Sequence, residues 1–114
     1  MHIVLVEPEI PQNTGNIART CALTGTALHL VKPLGFSVAD RYLKRAGLDY
    51  WNKVNITIWE NFGSFMREFG EYNIFLATTK APKLYDQVIY EKNDVFIFGP
   101  ESRGLSNDIL QIWP

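Results

Sequence analysis

Short apolar runs rich in β-branched and aromatic residues recur along this chain, and helix-like stretches or helix breakers separate them. This recurrence constrains the fold most, because a strand too apolar to alternate must be covered on both faces. The clearest case is Val95-Phe96-Ile97-Phe98, which stops on Gly99-Pro100 and leads into Glu101-Ser102-Arg103-Gly104-Leu105. His2 to Val6, Ala27 to Val31, Val54 to Trp59 and Ile74 to Thr78 read as four further strands. Leu28 and Leu30 alternate against His29 in the second. Between strands, Ile17, Ala18, Cys21 and Ala22 recur at helical spacing, with Asn13 to Asn16 as the turn and cap before them and Gly25 as the end. Phe62, Phe65, Met66 and Phe69 form one apolar stripe, which predicts a helix over Asn61 to Phe69. A short basic helix is expected from Asp40 to Ala46, and a last one around Ile109, Leu110, Ile112 and Trp113. The alternation predicts the α/β class: one domain over residues 1–114, with a mostly parallel sheet and helices on both faces.

Composition narrows the function classes. At 46% hydrophobic and 20% charged, the 114 residues match a globular domain and not a disordered chain. A formal net charge of −1 excludes a global field for nucleic acid, so any RNA contact must come from a local patch or a partner subunit. Cys21 is the single cysteine and forms no internal disulfide, which fits a reducing compartment. The apolar start is too short for a signal peptide and no apolar run reaches membrane-spanning length, so a cytoplasmic protein without a membrane partner is expected. His and Cys show no metal-ligand spacing, and no metal is expected. Gly99 and Gly104 have the glycine spacing of a P-loop, but Leu105 stands where its lysine is required.

In an open α/β sheet, ligands sit beyond the carboxyl ends of the strands. The junction after Phe98, with Glu101 and Arg103 between two glycines, is a natural place for such a site. Local pattern alone supports an ordinary turn with a surface ion pair equally well.

Two long segments resemble the motifs of a known family. Glu7-Pro8-Glu9-Ile10-Pro11-Gln12-Asn13-Thr14-Gly15-Asn16-Ile17-Ala18-Arg19 resembles the first motif of the SPOUT-class RNA 2′-O-ribose methyltransferases. Phe98 to Leu105 resembles their second motif, and Arg45-Ala46-Gly47-Leu48-Asp49-Tyr50 a segment of the branch acting on the tRNA wobble position. The resemblance implies a SPOUT-like (α/β knot) core, S-adenosyl-L-methionine as cofactor, the anticodon loop of tRNA as partner, and a homodimer. Nothing in the sequence resembles the family's Ser/Asn-rich third motif, so the knot-forming C-terminal tail is expected to be absent from this chain. The alternative is therefore a non-catalytic, tail-less module that dimerises or binds RNA without methylating.

By the same resemblance, Arg19 and Glu101 are the catalytic candidates, and Ala77, Thr78, Thr79, Gly99, Pro100 and Glu101 line the cofactor pocket. Asn13, Asn16, Arg19, Arg41, Lys44 and Arg45 are the candidate RNA contacts. A guanidinium practically never deprotonates, so Arg19 suits gripping a phosphate or stabilising a developing alkoxide better than removing a proton. Its bland reading is a surface arginine paired with Glu101 or Glu7. For Arg41, Lys44 and Arg45 the bland reading is a solvated helix face.

Overall fold

The structure is a computed structural model, and it describes residues 1–36, 53–77, 94–100 and 102. Among the described residues five strands form one sheet: β1 (His2–Val6), β2 (Ala27–Val31), β3 (Ile56–Trp59), β4 (Asn73–Ala77) and β5 (Asp94–Phe98). Their order is β3-β2-β1-β5-β4, and every neighbouring pair is parallel. All five carboxyl ends therefore lie on one edge. Among the described residues two helices pack on the sheet, α1 (Pro11–Thr24) and α2 (Phe62–Phe69).

Each inner strand is covered on both faces, as its composition demands. Val4, Val6, Val31, Val95 and Ile97 point to one face and pack with Phe65 of α2. Leu5, Leu28 and Leu30 point to the other face and pack with Ala18 and Cys21 of α1. Of the residues that the helical spacings single out, Ala18, Cys21 and Phe65 are buried, and Ile17, Phe62, Met66 and Phe69 pack half-buried beside them. Burial also pushes the Cys21 thiol up to about 11, so it acts as a small apolar side chain and not as a nucleophile. The side chain of Asn61 caps α2 by accepting from the Ser64 amide at 2.8 Å, a contact type that contributes about 1 kcal/mol. Among the described residues no helix is long and apolar enough to cross a membrane, and no group of three acidic, His or Cys side chains could hold a metal.

The structure corrects one expectation directly. Asn13 to Asn16 do not form a turn ahead of the first helix; they lie inside its first turns. Pro11 begins α1, and Ile10 occupies the cap position with no side-chain bond. Proline fits the first helical position because its φ is preset and its missing N–H would find no partner there. The far end is as expected: Gly25 adopts φ 70, and its amide and that of Thr26 both close on the Cys21 carbonyl. The expected helices at Asp40 to Ala46 and around Ile109 to Trp113 lie outside the described residues.

Candidate active site

The sheet order decides which loops meet. β1 and β5 are neighbours, with Leu5 opposite Phe98, so the segments leaving them emerge side by side. β1 is followed by a chain path toward β2, whereas β4 lies on the far side of β5. A crevice between such strands is the usual ligand site of an open α/β sheet.

The loop after β1 is held at several points. Glu7 takes φ 51, and its amide donates to the Val31 carbonyl at 2.9 Å. Pro8 is buried, and its carbonyl accepts from the Gly35 amide at 2.9 Å. A methyl group at position 35 would lie 2.9 Å from the Glu9 Cα, so glycine there is needed for this close approach. On its other side, Glu9 reaches the loop after β5. Its Oε1 accepts from the Ser102 amide at 2.8 Å, and the Ser102 hydroxyl donates to the same carboxylate, 2.7 Å from Oε1 and 3.0 Å from Oε2. The two motif loops are thereby joined at one rim.

Gly99 is half-buried and Pro100 buried at the end of β5, and Ala77 ends β4 in register with Phe98. Three of the expected cofactor residues therefore share the rim. Thr78, Thr79 and Glu101 lie outside the described residues, as do Arg41, Lys44 and Arg45. Asn13, Asn16 and Arg19 are exposed on the outer side of α1. The Arg19 Nη2 donates to the Asn16 Oδ1 at 3.0 Å, which fixes one edge of the guanidinium. Among the described residues Arg19 forms no ion pair, so the pairing with Glu7 is not made. Sequence reasoning missed Glu9 and Ser102 as partners, although both stand within the two motif segments.

On the inner side of the same helix, Thr14 is fully buried and its hydroxyl has no hydrogen-bond partner among the described residues. An unpaired buried hydroxyl costs about 1–3 kcal/mol. Thr14→Val keeps the shape and removes the polar atom, so it is expected to stabilise the fold by about 1 kcal/mol. Urea unfolding of the variant checks this; a loss of stability would mean that the hydroxyl is bonded.

The chain matches the model of the SpoU rRNA Methylase family over residues 1–114. The tRNA (cytidine(34)-2'-O)-methyltransferase of Methylovorus glucosotrophus is 51% identical over 107 residues, which is 94% of this chain and 70% of that protein. A structure solved for insights into the 2-OH methylation of C/U34 on tRNA superimposes with a TM-score of 0.87 at 42% identity, over 99% of this chain and 75% of that one. An AdoMet-bound rRNA methyltransferase from Sinorhizobium meliloti shares the fold with a TM-score of 0.81 at 20% identity, over 96% of this chain and 43% of that one. With motif loops joined at the carboxyl rim of a parallel sheet and a family match along its whole length, this chain belongs to the SpoU rRNA Methylase family.

Proposed function

We propose that this chain transfers a methyl group from S-adenosyl-L-methionine to the ribose 2′-hydroxyl at the wobble position of tRNA, as a cytoplasmic homodimer. The observation that carries the reading is the adjacency of β1 and β5, which brings the start of the helix bearing Arg19 and the loop bearing Gly99 to one rim. Identity of 51% to a tRNA (cytidine(34)-2'-O)-methyltransferase supports the substrate.

The donor set at the rim fits such a cofactor. Gly99 offers main-chain groups with no side chain in the way, and Pro100 lacks an N–H, so the pair suits an uncharged nucleoside better than a phosphate. The Glu9 carboxylate at the same rim also disfavours an anionic ligand and favours a cationic one. When bound, S-adenosylmethionine supplies an activated methyl group on a sulfonium. The protein must then align the ribose oxygen, the methyl carbon and the sulfur, and alignment of this kind is worth roughly 7–11 kcal/mol. Gly99, Pro100 and Ala77 would hold the cofactor, and Asn13, Asn16 and Arg19 would hold the RNA. Arg19 contributes a permanent charge and a fork of N–H donors for a phosphate oxygen or for charge developing on the ribose oxygen. Glu101 would orient Arg19, and Arg41, Lys44 and Arg45 would track tRNA phosphates.

Incubation with methyl-labelled S-adenosylmethionine and tRNA, followed by mass-spectrometric mapping, tests the reading. Label on the ribose of the wobble nucleotide is expected. Unlabelled tRNA overturns it, and RNA binding without any calorimetric heat from S-adenosylhomocysteine would favour the non-catalytic module.

A further inference from the structure

We propose that Glu9 and Ser102 act as a clasp that sets the register between the RNA-facing helix and the cofactor-facing loop, and so are positioning residues for methyl transfer. The inference rests on the methyltransferase reading above. Glu9 stands two residues before the start of α1, the helix that carries Asn13, Asn16 and Arg19. Ser102 stands two residues beyond Pro100, on the loop that leaves β5. The two are 93 residues apart in sequence, yet the carboxylate accepts from both the amide and the hydroxyl of Ser102. Bonds to a charged acceptor are shorter and stronger than neutral ones, and two donors on one residue define direction as well as distance.

The clasp has a fixed base. Gly35 backs the Pro8–Glu9 segment through its bond to the Pro8 carbonyl and its close approach to the Glu9 Cα. With that side immobile, the carboxylate can hold the β5 loop in place. Each loop is anchored to its own strand, and the clasp ties one loop directly to the other. In-line transfer is sensitive to this, because a misplacement of about 1 Å between reacting groups costs about 10²-fold in rate. The bonds are made at the exposed rim and neither residue belongs to an apolar cluster, so their removal leaves the packed core intact.

The test compares wild type with Glu9→Ala, Ser102→Ala, Ser102→Thr and the Glu9→Ala/Ser102→Ala double variant, in steady-state methyl transfer to tRNA and in calorimetry with S-adenosylhomocysteine. Glu9→Ala is expected to lower kcat by about 10–100-fold, with KM for tRNA and the Kd for S-adenosylhomocysteine within about twofold. Ser102→Thr keeps both donors and should retain wild-type kcat. The double variant should be no worse than the poorer single one, since both remove the same contact. Multiplicative losses, an equal defect in Ser102→Thr, or a loss confined to KM or cofactor affinity would overturn the clasp. A wild-type chain that transfers no methyl overturns the enzyme reading and the positioning role with it. An active wild type with full kcat in Glu9→Ala overturns the clasp alone.

Discussion

Arg19→Lys is expected to bind S-adenosylhomocysteine as the wild type does and to transfer methyl groups about 10²–10³-fold more slowly. The proposed cofactor side of the rim is Gly99, Pro100 and Ala77, none of which lies on α1, so the substitution leaves that side unchanged. On the proposed RNA side, lysine keeps the charge but replaces a rigid fork of donors with a flexible point charge. The Asn16 side chain now holds one edge of the guanidinium and orients the rest toward solvent, where a phosphate or ribose oxygen can be met. Lysine also lacks the planar geometry that this contact fixes. Because Arg19 is exposed and makes no ion pair among the described residues, its replacement should not change the melting temperature appreciably. The three readouts are calorimetry, single-turnover methylation and thermal melting. Wild-type turnover in the variant would remove Arg19 from the chemistry, and a collapse in melting temperature would give it a structural role instead.

Sequence pattern carried the sheet and its helices because both rest on apolar periodicity. Val95 to Phe98 is apolar on every residue, and β5 is accordingly covered on both faces, with Val95 and Ile97 on the α2 side. Phe62, Phe65, Met66 and Phe69 recur at helical spacing, and α2 spans those residues. The start of α1 was not legible, since proline breaks a helix interior but suits its first position, and only the backbone path distinguishes the two. His29 sits at a position where alternation permits solvent exposure, yet it is buried, because α2 covers that face of the sheet. The contact between Glu9 and Ser102 depends on β5 lying next to β1, and strand order leaves no local trace in a sequence. Motif resemblance marked both segments but could not pair their side chains.

Folding stability should fall by about 2 kcal/mol on acidification from about pH 7.5 to about pH 5, and most of this loss should trace to His29. His29 is 4% exposed, and its ring lies between Trp59, Phe65 and Phe69. Burial, and then the neighbouring His2, lower its pKa from 6.5 to about 4. The hydrogen bonds give the same answer independently. The Trp59 indole N–H can only donate, and it points at the His29 Nδ1 at 3.0 Å, so that nitrogen must be unprotonated. The neutral ring then carries its proton on Nε2, which donates to the His2 Nδ1 at 3.0 Å. Burial, followed by the charge of the amino terminus, lowers the His2 pKa as well. A second proton on His29 would have to enter at Nδ1, against the indole N–H. The unfolded chain, with an ordinary histidine pKa, therefore takes up a proton near pH 6.5 that the folded chain refuses until about pH 4. Stability from this group is complete above pH 6.5 and declines as the pH falls through that window, before most carboxylates begin to titrate. Urea unfolding at the two pH values measures the loss, and His29→Gln, which has no titration there, should flatten it. An unchanged slope in that variant would show that the histidine is already charged in the fold, and the neutral chain of bonds from Trp59 to His2 would have to be abandoned.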